Sequence, residues 1–250
     1  MKPADSEPDV PTDPVASVPR RGARVTVCEA YALWARTYDA SPNPLVALEE
    51  RFLEPMLPPL TGKVVVDIGC GTGRWLARLS SRGAGLHLGV DLSHAMLDQA
   101  ATKPRLSGRL VQADCLRLPL APAIADVVLC SFVLGYVDVG RLAQEVGRIA
   151  RNGADLYVSE FHPDGYALGW KRGFRRGDQR VELPTEPYSP EEAAHAFRLH
   201  GFDLIQKVEP GFGEPERNIF VAAGKGGVYD SSRGTHALFV CHLQRSDRAV

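Results

Sequence analysis

The chain has 250 residues, 44% hydrophobic and 24% charged, enough apolar material for one domain with a substantial core. With 29 basic against 30 acidic residues the formal net charge is -1, so no global field recruits nucleic acid or an anionic membrane. No apolar run approaches the roughly 20 residues of a spanning helix. No export-type apolar segment opens the sequence. The five cysteines form no CxxC pair, so reduced thiols in a cytoplasmic protein are expected, with no metal site and no membrane contact.

In chain order, residues 1–24 are rich in Pro, Asp and Ser and carry no periodicity, the composition of a disordered tail. "VTVCEAYALWARTYDA" follows, with Tyr31, Trp34 and Tyr38 at the spacing of one helix face. "NPLVALEERFLEPML" reads as a second amphipathic helix with Pro44 in its first turn, stopping before Pro58 and Pro59. An alternation then begins. Val64–Ile68 is a strand, Thr72–Arg82 a helix closed by Gly83, Leu86–Asp91 a strand, and Ser93 the N-cap of "HAMLDQAA". Arg109–Ala113, Asp126–Ser131 and Leu156–Phe161 are further strands, and Arg141–Arg151 is a helix with Gly153 after it. Strands separated by helices mean βαβ units and a mostly parallel sheet. Residues 163–188 lose the pattern, and a loop of that length is functional or mobile. Ser189–Glu192 is a capping box opening a helix to His200, "FDLIQKV" and "ALFVCHL" are two late strands, and Gly211–Thr235 between them is ambiguous.

The stretch "VVVDIGCGTGRW" ends a strand in Gly69, Gly71 and Gly73 and feeds a helix. Glycine accepts positive φ and lets a ligand touch the backbone, and the following helix offers free N–H groups. Arg74 occupies the sixth position of the GxGxxG pattern, where close packing in a dinucleotide site wants Gly or Ala. No GK[ST] follows, so a P-loop also fails. Asp67, at the strand end, suits an ammonium group. Asp91 ends the second strand, where a carboxylate hydrogen-bonds the hydroxyls of an adenosine ribose.

"VVVDIGCGTG", "LGVDLSHAML", "LVQADCLRLPL", "ADVVLCSFVLGYV" and "IARNGADLYVSEFHP" occur in this order, and together they resemble the class I S-adenosylmethionine-dependent methyltransferases of the small-molecule kind. The resemblance covers residues 25–162 well and the rest loosely. It implies an α/β, Rossmann-like seven-stranded, mostly parallel sheet flanked by helices. N-terminal helical and 163–188 elements form a cap, and the last two strands an antiparallel edge hairpin. It implies a single domain over 25–250, with core 60–162, cap elements 25–58 and 163–188, and a C-terminal helix and hairpin at 189–245. S-adenosylmethionine is the implied cofactor and S-adenosylhomocysteine its product. Asp67 and the Gly69, Cys70, Gly71 and Gly73 backbone resemble the methionine site. Asp91 resembles the ribose acid, with Leu92 and Met96 beside the adenine. Asp114, with Cys115 next to it, resembles the acid facing the adenine amino group. Ser131 starts the turn at the methyl-donor end, and Tyr38 resembles the helix residue closing over the cofactor.

The acceptor is less legible. Strand tips or the cap should supply a general base, and Glu160 and His162 in "SEFHP" are the catalytic candidates, sharing a face if the strand persists. The duller reading is that His162 precedes Pro163 in a turn and Glu160 pairs with a cap arginine. "GWKRGFRRGDQR" is a solvated charged loop, a lid for an acidic substrate group, or an RNA contact. The near-zero net charge argues against nucleic acid. A small-molecule acceptor is expected, with oxygen narrowly preferred over nitrogen. The alternatives are an RNA or protein methyltransferase, and a cofactor-binding scaffold without turnover.

Overall fold

The computed structural model describes residues 26–176 and 179–246, with Arg176 and Gln179 described by backbone alone. The tail expected at 1–24 lies outside the described residues. Helix α1 (Val27–Tyr38) opens on a reciprocal capping box between Thr26 and Glu29, and α2 (Pro44–Leu53) is capped by Asn43. The alternation follows: β1 (Val64–Ile68), α3 (Arg74–Ser81), β2 (Leu86–Asp91), α4 (His94–Ala101), β3 (Leu110–Gln112), β4 (Ala125–Ser131), α5 (Val139–Ile149) and β5 (Ala150–Phe161). Beyond it come α6 (Pro163–Ala167), β6 (Gly173–Arg176), β7 (Gln179–Glu182), α7 (Pro190–Arg198), β8 (Phe202–Val208), α8 (Glu214–Ala222), α9 (Gly226–Ser232) and β9 (Leu238–Arg245).

Seven strands form one sheet in the order β3-β2-β1-β4-β5-β9-β8. The first five run parallel, and β9 runs antiparallel to both β5 and β8. Period-two burial explains the layering. Val66, Ile68, Val128, Cys130, Leu156 and Val158 pack with Leu142 and Val146 of α5 and Phe197 of α7. The alternate positions Val65, Val127, Leu129, Tyr157 and Val240 pack with Leu48, Leu53, Trp75 and Leu79 of α2 and α3. A sheet covered on both faces is what a parallel arrangement requires.

Three regions differ most from the sequence expectation. The helix expected at Arg141–Arg151 begins at Val139, because Asp138 is its N-cap and accepts a hydrogen bond from Arg141 N–H. It ends at Ile149, and β5 starts at once; Gly153, at φ +73, sits in the irregular entry to that strand. The 163–188 stretch is ordered into α6 and the β6–β7 hairpin. Phe174 and Leu183 of that stretch form a small core with Ala30, Tyr31 and Trp34 of α1. The cap is thus two sequence-distant pieces packed on each other. The ambiguous 211–235 segment holds α8 and α9.

Candidate functional site

The carboxyl ends of β1, β2 and β4 converge on a cavity whose empty volume, counted out to its open mouth, is about 1120 Å³. Its wall includes Tyr38, Asp67, Gly69, Cys70, Gly71, Asp91, Leu92, Met96, Asp114, Cys115 and Ser131. Eleven of the twelve residues singled out for cofactor binding are therefore brought together by the fold. Gly73 is the exception. A Cβ there would meet Leu106 Cδ1 at 2.7 Å and Ala100 Cβ at 3.1 Å, so this glycine, at φ +74, serves helix packing and not the cavity. Gly71, at φ +54, faces open space, the cradle that a ligand's backbone contact needs.

Asp67 is buried at the end of β1, and its Oδ1 has no hydrogen-bond partner. Burial pushes its carboxyl up to about 8, with Arg74 pulling down and Glu49 and Asp91 pushing up. A buried acid with an unused oxygen on a cavity wall fits a cationic ligand group. Asp91, one strand over, accepts hydrogen bonds from Gly71 N–H and Ser93 N–H, each at 2.8 Å. Burial raises its pKa against those backbone bonds. They fix both carboxyl oxygens at the rim, ready for two vicinal hydroxyls. Met96 is buried and Leu92 lies exposed at the mouth, bracketing a place for a flat ring. Asp114 is exposed and accepts from Leu116 N–H at 2.8 Å, a turn bond that leaves its other oxygen free.

The sequence reading missed the group behind this cavity's wall. Glu49 of α2 is fully buried and accepts from Ser131 Oγ at 2.5 Å and Trp75 Nε1 at 3.3 Å, and also from Ser159 Oγ and Arg74. Arg74 reaches Glu50 as well, at 3.0 Å. The bulky side chain that excludes a dinucleotide thus ties the glycine turn to α2. The signal was present: Glu49 falls on the apolar face of α2, beside Leu45, Leu48 and Leu53. A carboxylate on a buried stripe calls for a partner.

At the far end of the cavity stand Tyr31, Phe132, Tyr136 and Val137. The hydroxyls of Tyr31 and Tyr136 lie 3.0 Å apart. Burial raises the pKa of both, so they are neutral hydrogen-bonding groups. Phe132 sits at φ +57, a conformation costly for a bulky residue and concentrated at functional sites.

Neither Glu160 nor His162 lines the cavity. Glu160 is buried, accepting from Gly135 N–H at 3.0 Å and Phe161 N–H at 2.8 Å, with Arg172 Nη1 at 3.0 Å. His162 caps α6 through Asp164 N–H, 3.1 Å away, and pairs with Glu209 at 3.1 Å. The strand does persist to Phe161, but by then it has passed the cavity and entered the base of the cap. The geometry therefore favours the turn-and-ion-pair reading of both residues over a direct part in proton transfer.

Comparison with known proteins agrees with this layout. Residues 66–158 match a family model described as a methyltransferase domain. A biotin biosynthesis bifunctional protein of Cellvibrio japonicus is 29% identical over 158 residues, 63% of this chain but only 31% of that protein. A ubiquinone biosynthesis O-methyltransferase of Idiomarina loihiensis is 28% identical over 186 residues, 68% of this chain and 76% of that one. The fold is also that of a crystallised S-adenosylmethionine-dependent methyltransferase from Mesorhizobium loti. That likeness has a TM-score of 0.63 at 24% identity, over 81% of this chain and all of the other. The glycine turn, the two strand-end carboxylates and the sheet order agree with these matches: residues 66–158 are those of a methyltransferase domain, and the fold is the one that S-adenosylmethionine-dependent methyltransferases share.

Proposed function

We propose that the protein binds S-adenosylmethionine in this cavity and transfers its methyl group to a small-molecule acceptor, with oxygen preferred over nitrogen. The unpartnered Oδ1 of buried Asp67 carries the reading: it is the place for the donor's ammonium. Asp91 holds the ribose hydroxyls, Leu92 and Met96 flank the adenine, and Asp114, beside Cys115, takes its amino group. The Gly69–Gly71 backbone, Cys70 included, approaches the methionine moiety, and Tyr38 closes over it from α1. The donor supplies a methyl on a sulfonium, with a neutral thioether as leaving group. The carbon–sulfur bond breaks with its electron pair going to sulfur, a carbon–oxygen bond forms, and the acceptor's proton leaves to solvent.

The chain's contribution is alignment, worth roughly 7–11 kcal/mol in favourable cases. The turn from Ser131 to Tyr136 sets the acceptor against the methyl end. Among the described residues on the cavity wall there is no histidine, glutamate or lysine. The acceptor is therefore one that ionises without a strong enzyme base. The names of relatives, an O-methyltransferase of ubiquinone biosynthesis among them, support a small acceptor and oxygen. Unpaired cysteines support a reducing, cytoplasmic setting, and no described helix is long and apolar enough to cross a membrane.

Calorimetry with S-adenosylmethionine and S-adenosylhomocysteine tests the core claim. Binding is expected well below about 1 mM, with Asp91→Ala weaker by tenfold or more, ~1.4 kcal/mol. No binding at that concentration rejects the donor, and an unchanged Asp91→Ala affinity rejects the ribose assignment.

A further inference from the structure

The basic cap segment divides on inspection. Lys171 pairs with Glu182 at 2.9 Å and Arg180 with the same carboxylate at 3.3 Å, both more than half exposed. Arg175 is exposed. These are the solvated face of a hairpin. Arg172 is different: its side chain is 11% exposed, and it turns inward from the start of β6. Its guanidinium carbon lies 5.1 Å from the Phe132 ring centre and 5.0 Å from that of Tyr136. Those rings line the cavity.

Its charge is offset, but one buried donor is not used. Glu160 stands 3.0 Å from Nη1, yet Nη1 has no hydrogen-bond partner although buried. Glu160 is held on its strand, each oxygen accepting a backbone N–H, from Gly135 and Phe161, and at 3.0 Å the ion pair is close without Nη1 being aligned to hydrogen-bond either oxygen. A buried guanidinium with an idle donor is costly unless something else occupies it. The planar fork matches a carboxylate bidentately, and its faces are already set against aromatic rings. Glu160 already offsets the charge of the guanidinium, so every added negative charge is uncompensated and a monoanion is a better match than a phosphate dianion.

We propose that Arg172 anchors a carboxylate on the methyl acceptor, a flat conjugated acid held between the Phe132–Tyr136 turn and the cap. This rests on the methyl-transfer reading of the cavity. Arg172 then fixes where the acceptor lies, while the nucleophilic oxygen sits nearer the Tyr31–Tyr136 hydroxyl pair.

The test uses the full chain, first saturated with S-adenosylhomocysteine. Benzoate, salicylate and cinnamate are titrated by calorimetry beside benzamide and phenyl phosphate. The carboxylates are expected to bind at least about tenfold tighter than the amide and the phosphate. Arg172→Gln should abolish that preference and leave the S-adenosylhomocysteine affinity within about twofold; Arg172→Lys should keep part of it. Should Arg172→Gln fail to fold with Glu160 left unpaired, Arg172→Gln with Glu160→Gln replaces the ion pair by two amides and gives the same readout. The proposal is overturned if benzamide binds as well as benzoate, if no carboxylate binds below about 10 mM, if phenyl phosphate binds best, or if the preference survives without Arg172. Failure of S-adenosylhomocysteine itself to bind overturns the methyl-transfer reading separately, and the acid preference is then read on the apo protein.

Discussion

In the proposed binding mode, Asp67 is the residue on which donor recognition turns. Its carboxyl, pushed up to about 8 by burial, is protonated at neutral pH in the empty site. The folded-state value lies above the 3.8 of a free carboxyl. The stability this group contributes is therefore fully present below about 4 and is lost as pH rises through about 8. The apo protein should melt lower at pH 8 than at pH 6 on this account. Entry of an ammonium group reverses the preference and drives the proton off. At pH 7 the binding of S-adenosylhomocysteine should release close to one proton, about 0.9 for an isolated group. Calorimetry in buffers of differing ionisation heat measures it. Zero release, or the same release from Asp67→Asn, would show that this carboxyl does not meet the ammonium.

At the scale of elements, α2 works through one side chain. Glu49 gathers Ser131 from the tip of β4, Ser159 from β5, and Arg74 and Trp75 from α3. Two helices and two strands are joined beside the cavity wall that Arg74, Trp75 and Ser131 line. Glu49→Ala takes the buried acceptor away from Arg74, Trp75 and two serine hydroxyls, and breaking a buried pair in this way costs about 3–5 kcal/mol. The thermal midpoint should fall steeply, while Glu49→Gln, which keeps an acceptor oxygen, should fall less; a melt within a degree of the parent for Glu49→Ala would refute the role. The helix itself was readable from "NPLVALEERFL", because Pro44 and the apolar spacing act locally. What Glu49 touches was not, since its partners lie 25 to 110 residues away in sequence. The same holds for β6 and β7. Their order comes from packing on α1, and no period-two pattern within 163–188 announces it. Glu160 and His162 were misplaced for a related reason: alternation assigns a strand face and says nothing of where the strand leaves the site.

Across the whole molecule, what could be read in advance was what the backbone must do. Glycines at positive φ, carboxylates ending strands and helices between them are demands of the sheet and its ligand turn, so Asp67, Gly71 and Asp91 fell into place together. On the proposed reading, acceptor choice rests on side chains from α1, the turn after β4 and the hairpin, which only the tertiary arrangement assembles. The balanced charge carries its own expectation. Lys171, Arg180 and Arg172 of the cap are tied to Glu182 and Glu160, which turns these three cations away from a phosphate backbone. Filter binding with total tRNA at about 150 mM salt should show no complex at micromolar protein; salt-sensitive binding there would restore an RNA acceptor. The aromatic seam between the two cap pieces has a practical consequence. Trp34 stacks on Phe174 at 4.8 Å and meets Tyr38 edge-on at 4.7 Å, so its indole bridges the hairpin and the cavity wall. Any parting of the cap changes that stack and with it the emission of an intrinsic fluorophore. The protein carries its own optical gauge of closure, separable from Trp75 and Trp170 by subtracting a Trp34→Phe trace, and able to follow ligand entry in real time before any methyl acceptor is identified.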